Sequence, residues 1–349
     1  MPDPRQTTIP TLVRVKPGAL DRLGIYCERA GFRSAAFFFS SGLVPSLLSR
    51  AVAALTAGGV RMHRPVAVES NDFASAVELF KKLPASTDVI LGVGGGKALD
   101  VAKYVAFLAG RPLIAVPTSL SNDGFCSPQS SLAINGRRRS MPSAVPFGVV
   151  IDTAVCFDAP AVLWLSGIGD LVSKFTAVAD WKLAFHAQGV PVDDFAALLS
   201  DASVHQFLSH SMHDLEGMRL LGAALLLNGV AMSICGSSRP ASGSEHLISH
   251  ALDRLSTAPH LHGLQVGVAT YLVARLQGGN HELIARAFER TGFWNAIAKD
   301  PFDRAEWLEA VKAAPSVKPG YYTVLSSRDC LPEVVELLSG DPLLAACFH

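Results

Sequence analysis

The stretch "SGSEHLISHALD" (residues 242–253) sets His246 and His250 four residues apart, and His260 and His262 follow within a short loop. On a helix, positions i and i+4 share a face. Both imidazoles, with Asp253, would then look one way while Leu247, Ile248, Ala251, Leu252 and Leu255 line the other. A buried imidazole needs polar partners or a metal, and metal sites commonly join nitrogen ligands to a carboxylate. Asp170, in "GIGDLVSKFTAVADWKLA", is a candidate carboxylate at what reads as a helix start, where an aspartate also serves as an N-cap. Ser242 and Glu245 form a capping box that begins a helix near Gly243, which accounts for Glu245 without chemistry. His262 precedes Gly263 and opens another helix, and by itself it reads as an exposed loop histidine. Spacing alone does not join Asp170, His246 and His262.

A second kind of chemistry is written in "DVILGVGGGKALDVAKYVAF" (residues 88–107). A strand runs into Gly92, Gly94, Gly95 and Gly96 and then into a helix. Backbone without Cβ can approach an anion closely, and free N–H groups at a helix start point at it. A diphosphate suits such a loop, and a tight turn is the plainer alternative. Lys97 is not followed by Ser or Thr, which disfavours a nucleotide-hydrolysing P-loop. Asp100, one turn in, also suits the helix dipole. The next strand ends in "PTSLSNDGFCSP" (residues 117–128), where Asn122-Asp123-Gly124 reads as a turn. Two phosphate-friendly loops at the C-terminal edge of one sheet favour a dinucleotide.

The elements that must position these residues divide the chain near residue 160. Before it, apolar runs at 35–39, 65–68, 88–93, 113–117 and 147–152 read as strands, with helices at 43–57, 72–83 (Asn71 as its cap) and 97–109 between them. Continuous apolar strands alternating with helices imply a parallel sheet covered on both faces. After it, helix follows helix: 166–186, 193–208, 215–235, 243–256, 262–277, 281–291, 304–313 and 331–339. The expected fold is α/β, a parallel-sheet domain over 1–160 followed by an all-α domain over 161–349, with a ligand cleft where two such domains meet.

Composition bounds the partners. The 349 residues are 49% hydrophobic and 17% charged, and thirty basic residues balance thirty acidic ones. Without a long run of either sign, neither nucleic acid nor an anionic membrane, both of which want a basic patch, is the expected partner, while a local basic pocket for a small anion stays open. Six scattered cysteines without CxxC spacing point to a reducing cytoplasm rather than a disulfide framework. The polar start "MPDPRQTTIP" lacks the apolar core of a leader. The apolar stretch 220–235 reads as a buried helix too short to span a bilayer.

The motifs "GVGGGKALDVAKY", "VPTSLSNDGFCSP", "GIGDLVSKFTAVADWKLA", "GSSRPASGSEHLISHALD" and "HGLQVG" together resemble the sn-glycerol-1-phosphate dehydrogenase family, within the larger group of iron-containing alcohol dehydrogenases, glycerol dehydrogenases and dehydroquinate synthases. The resemblance extends to "YYTVL" near the C-terminus. It implies a Rossmann-like domain followed by a helical one, as in dehydroquinate synthase. It implies that Asp170, His246 and His262 hold one divalent metal (zinc foremost, with nickel or iron also suited to an N₂O site). Asp123, Asp170 and His250 would face a small phosphorylated substrate. Gly94, Gly95, Gly96, Lys97, Ala98, Thr118, Ser119 and Ser127 would line NAD or NADP.

The implied reaction interconverts dihydroxyacetone phosphate and sn-glycerol 1-phosphate in phospholipid metabolism, in a homo-oligomeric enzyme. Arg239 and Lys174 are candidates for the substrate phosphate. Several positions depart from the family pattern. Leu264 stands where an acidic residue follows the last histidine's glycine, Asn122 where a histidine precedes Asp123, and Cys126 where an alanine precedes Ser127. Gly320 and Tyr321 replace a basic residue ahead of Tyr322, with Lys318 close by. Alternatives are a dehydrogenase of another small polyol or hydroxy-ketone, a dehydroquinate-synthase-like cyclase, and a non-catalytic protein that keeps the pocket.

Overall fold

The computed structural model describes residues 7–349; the first six residues of the polar start, part of the segment expected to carry no leader, lie outside them. The chain forms two compact units, one ending at Ala159 and the other spanning Pro160–His349.

Among the described residues the first unit is built on nine strands: β1 (Leu12–Lys16), β2 (Ser34–Ser40), β3 (Arg61–Met62), β4 (Val66–Val68), β5 (Val89–Gly94), β6 (Leu113–Pro117), β7 (Gln129–Ile134), β8 (Arg137–Pro142) and β9 (Gly148–Asp152). Seven make a parallel sheet in the order β1-β9-β6-β5-β2-β3, with β4 also paired to β2. β5, β6 and β9 are buried along their whole length, as central strands with both faces covered must be. Phe37, Leu55, Leu91, Val93, Ile114 and Val150 form the core on one face. Gly94 pairs with Pro117 at the C-terminal ends of β5 and β6, so the glycine loop and the 117–128 loop leave the sheet side by side.

The sequence missed β1, β3 and the β7–β8 hairpin. β1 is a sheet-edge strand, only its first residue is buried, and it carries Arg14 and Lys16, so it lacks a continuous apolar run. β8 is "RRRSMP", almost wholly exposed. Its turn, Asn135-Gly136, has positive φ at both residues (52° and 73°), the Asn-Gly signal of a two-residue hairpin that would have revealed it. That hairpin also explains why Asn71 is not the cap of its helix. Asp72 is the residue ahead of Phe73–Lys81, while Asn71 Nδ2 donates to Ser131 O on β7 (3.2 Å) and its carbonyl accepts from Ala133 N (3.0 Å).

The second unit is helical, and no strand occurs there among the described residues. The 21-residue Leu215–Cys235 helix buries Asn228, whose side-chain oxygen accepts from Ser203 Oγ (3.1 Å). It and the Ala161–Gln188 stretch are long and apolar enough to cross a membrane, so the length expectation for 220–235 is corrected; both are mostly buried within the fold. The predicted 166–186 helix is two helices, Ala161–Val172 and Lys174–Gln188, broken at Ser173. Asp170 therefore sits in the last turn of the first, not at a helix start. A carboxylate there opposes the helix dipole, and a countercharge is needed.

Glycines bring the functional helices together. A Cβ on Gly169 would lie 1.9 Å from the carbonyl oxygen of Gly263, and one on Gly263 would lie 1.8 Å from that of Ser166. The backbones of Ala161–Val172 and His262–Gln277 touch at this point, which sets Asp170 and His262 on neighbouring turns.

Candidate metal centre and cofactor loops

Three helices of the second unit each send one side chain to a common place. Asp170 comes from Ala161–Val172, His246 from Ser244–Leu255, and His262 is the first residue of His262–Gln277. One ligand-type atom from each lies within 4.8 Å of the other two. His246 Nε2 is 3.2 Å from Asp170 Oδ1, about the separation of two donors on one tetrahedral ion. The rings of His246 and His262 are 5.2 Å apart. His250 stands beside them, its ring 5.7 Å from that of His262 and 6.3 Å from that of His246. His260 goes elsewhere, pairing with Asp300 (3.3 Å) and packing on Phe302.

The outer nitrogen of each imidazole is held. Ser249 Oγ gives its hydrogen to Gln265 Oε1 (2.7 Å) and so accepts from His262 Nδ1 (3.0 Å), leaving Nε2 of His262 with its lone pair. His246 Nδ1 donates to Glu245 Oε1 (2.8 Å). A carboxylate behind a ligand histidine fixes its orientation and raises its basicity. Two oriented imidazoles and one carboxylate are the donor set of a divalent transition-metal site with open positions, so these residues fit the metal that the family implies.

Charge follows from these contacts. Burial pushes the Asp170 carboxyl up, but the Lys174 ammonium and then His246 outweigh it and hold it well below the usual carboxylate range. Without a metal, burial pushes His246 down, and Asp170 and Glu245 together overcome it, raising the imidazole to about 9; a bound cation would displace that proton from Nε2. Lys174, fully buried, donates to the Asp170 carbonyl (2.7 Å) and lies 3.3 Å from its Oδ1. It is the countercharge that the helix end requires and is not placed as an anion ligand.

Glu245 is the residue that sequence reasoning misjudged. Ser242 does not cap; Gly243 is the N-cap, and Ser242 O accepts from Tyr321 Oη (2.7 Å). Only half of the capping box survives, Gly243 N donating to Glu245 Oε1 (2.6 Å), while Oε2 accepts from Thr176 Oγ1 (2.8 Å). The missing cap is supplied across space by Asp180, whose carboxylate accepts from Ser244 N (2.7 Å) and Val324 N (2.8 Å). Leu264 stands where the family pattern has an acidic residue, and Glu245 brings a carboxylate to the same cluster through His246 Nδ1. Leu247, Ile248, Ala251 and Leu252 are buried as expected, whereas Leu255, at the helix end, is 47% exposed.

The first unit's loops are made differently. Gly94 has φ +137°, and a Cβ there would lie 2.1 Å from Ser40 Oγ. Gly95 N donates to that same hydroxyl (3.0 Å) and Thr118 N donates to Gly94 O (3.1 Å). The helix begins at Gly96 with no side-chain cap; Ala98 N donates to Gly95 O (3.1 Å), so the N–H groups of Gly96 and Lys97 are the ones offered to an anion. Gly96 and Lys97 are exposed, Ala98 is buried, and Thr118 and Ser119 are half-buried.

In the 117–128 loop, Asn122 Oδ1 accepts from Gly124 N (2.9 Å) and caps the 3₁₀ turn Asp123–Phe125. Ser127 Oγ is tied to Gln129 O (2.9 Å) and to Lys103 Nζ (3.3 Å). Lys103, 2% exposed, also donates to Gly124 O (2.5 Å). Lys103 is a second residue that the sequence reading missed, and it holds the loop that carries Asp123 and Ser127. A lysine on the helix face toward that loop was its only signal.

A dinucleotide-type sheet with a glycine loop, followed by a helical unit with an Asp-His-His cluster, defines the class, and comparison with known proteins agrees. Residues 14–160 match the family model described as iron-containing alcohol dehydrogenase. Solved structures share the fold: a probable glycerol dehydrogenase from Sinorhizobium meliloti (TM-score 0.75, 20% identity, 95% of this chain and 98% of that one) and glycerol dehydrogenase from Schizosaccharomyces pombe (0.77, 19%, 99% and 91%).

More similar in sequence is the glycerol-1-phosphate dehydrogenase [NAD(P)+] of Methanothermobacter thermautotrophicus, 35% identical over 342 residues, covering 97% of this chain and 98% of that protein. Its counterpart from Aeropyrum pernix is 34% identical over 343 residues, covering 95% and 96%. The chain belongs to the glycerol-1-phosphate dehydrogenase family. These relatives favour the dehydrogenase reading over the cyclase alternative.

Proposed function

We propose that this protein is a metal-dependent, NAD(P)-linked dehydrogenase that interconverts dihydroxyacetone phosphate and sn-glycerol 1-phosphate. The observation that carries the reading is the convergence of Asp170, His246 and His262 within 4.8 Å in a chain 35% identical to a relative of that name. Asp170, His246 through Nε2 and His262 through Nε2 would hold the ion, with zinc the first choice and nickel or iron alternatives. A bound divalent cation supplies Lewis-acid stabilisation of negative charge on the substrate oxygen, worth several kcal/mol.

The chain's own residues do the rest. Glu245 and Ser249 fix the two imidazoles, and Lys174 offsets the charge of Asp170. His250, beside the cluster, and Asp123 bind substrate, and His250 passes the hydroxyl proton toward solvent. The backbone of Gly94–Gly96 with Lys97, Ala98, Thr118, Ser119 and Ser127 holds the dinucleotide. β2 ends at Ser40 and is followed by Ser41-Gly42, with no carboxylate to repel a 2′-phosphate, so both NADH and NADPH are accepted. Six free cysteines suit a reducing cytoplasm.

The test is NAD(P)H oxidation across a panel of ketones, after chelation and again after adding back single metals. Consumption with dihydroxyacetone phosphate that depends on added metal, giving sn-glycerol 1-phosphate and not its 3-phosphate enantiomer, supports the reading. Turnover that survives complete chelation would refute it.

A further inference from the structure

Two cations of the second unit share one tyrosine ring. The guanidinium carbon of Arg239 lies 3.6 Å from the ring centroid of Tyr321, and Lys318 Nζ lies 3.8 Å from the same centroid. Arg239 is 5% exposed, while Lys318 sits at the rim, exposed. Arg239 Nη1 donates to Tyr322 O (2.7 Å) and Lys318 Nζ donates to Ser238 Oγ (3.2 Å). Among the described residues, neither enters an ion pair with Asp or Glu. A guanidinium carries five donors in a rigid fork, and here one is used by a carbonyl.

Burying such a group beside a like charge is costly unless an anion completes it. The two charges feel each other: desolvation against the ring and then the Arg239 guanidinium bring Lys318 down to about 8, which leaves it largely charged at neutral pH. Tyr321 is itself fixed, its hydroxyl donating to Ser242 O (2.7 Å), four residues ahead of His246. The cations are therefore tied to the segment that leads into the proposed metal site.

We propose that Arg239 and Lys318, held on Tyr321, form an anion seat that takes the phosphate of the substrate, and that Lys318 supplies the discrimination between phosphorylated and unphosphorylated ketones. A planar fork and a mobile ammonium suit a phosphate dianion, which accepts hydrogen bonds on several oxygens. The seat rests on the reading of the substrate as a phosphate ester. It lies in the same unit as the Asp-His-His cluster, whereas the phosphates of the dinucleotide are assigned to the glycine loop of the other.

The experiment uses the metal-loaded full chain and its Lys318→Met and Lys318→Arg variants. The ratio of kcat/KM for dihydroxyacetone phosphate to that for dihydroxyacetone is expected to fall roughly 10- to 100-fold in Lys318→Met, the scale of losing one charge-assisted hydrogen bond, and to recover largely in Lys318→Arg. An unchanged ratio overturns the proposal. So does an increase in the KM for NAD(P)H without a change in that ratio, which would give the cations to the dinucleotide instead. Inorganic phosphate binding, followed by calorimetry, is read in parallel with Lys318→Met and Arg239→Met. It should weaken in both, and this readout stands even if dihydroxyacetone phosphate proves not to be turned over, so failure of the seat and failure of the proposed reaction remain distinct. Equal phosphate affinity in all variants sinks the seat.

Discussion

The glycine loop of the first unit and the Asp-His-His cluster of the second solve their positioning problems with different parts of the chain. At the loop the working groups are backbone N–H donors, and the side chains that matter are those that are missing. Gly94 takes a φ of +137° and leaves no room for a Cβ against Ser40. At the cluster the working groups are side chains from three helices. The backbone's part is to let those helices approach, through Gly169 and Gly263. A backbone site is specified locally by a few adjacent residues. A side-chain site is specified by the whole unit, and each ligand needs a supporting residue of its own.

His262→Ala should separate the two most sharply. It removes one of three proposed ligands from a fold otherwise intact, so metal content should drop toward zero and turnover fall by about 1000-fold or more, matching the several kcal/mol a bound cation supplies. Binding of NAD(P)H by the loop should be nearly unchanged. Elemental analysis alongside a nicotinamide fluorescence titration measures both. Retention of full metal content would reassign His262.

The reciprocal change is Gly94→Ala. The strained φ and the contact with Ser40 should cost about 1–3 kcal/mol of stability and weaken NAD(P)H binding roughly 10-fold or more, with metal content preserved. A variant that binds cofactor normally would show that the loop's backbone is not where the dinucleotide sits.

This contrast also explains what the sequence made legible. β2, β4, β5, β6 and β9 and the glycine loop between β5 and its helix were readable because apolar runs and clustered glycines are local signals. Asp170, His246 and His262 are separated by long stretches of chain, and residue spacing could not bring them together; only the resemblance to a family did. Glu245 was misread because a capping box is a local pattern, and the residue that actually meets Ser244 N is Asp180 from another helix. Lys174 was a candidate for the substrate phosphate because nothing in the sequence shows that the helix breaks at Ser173 and that this ammonium is spent on Asp170.

Glu245→Gln tests the support behind one ligand without removing the ligand. The amide keeps the size and one acceptor, but the charge behind His246 Nδ1 is lost. Metal affinity should weaken about 10- to 100-fold, less than for loss of His262, with the helix still formed by far-ultraviolet circular dichroism. An unchanged affinity would make Glu245 a helix-start residue only, and the side-chain site would then need less support than proposed.

The smallest effect concerns Asp180, which ties the start of the His246 helix to the Lys174–Gln188 helix and to Val324. Burial, and after it the neighbouring Glu245 carboxylate, push Asp180 up to about 6 from 3.8. Between those values the folded chain keeps a proton that the unfolded chain has released. Stability from this group is therefore fully present below the unfolded value and is lost as pH rises through about 6, a change of about 1–3 kcal/mol. Denaturant unfolding of the metal-free protein across this range should show that downward contribution, and Asp180→Asn should lack it while being less stable throughout. Parallel pH profiles for the two would mean that Asp180 is ionised at all these pH values. Its two backbone N–H donors would then outweigh its burial, and the buried frame behind the metal cluster would keep that negative charge below pH 6 as well.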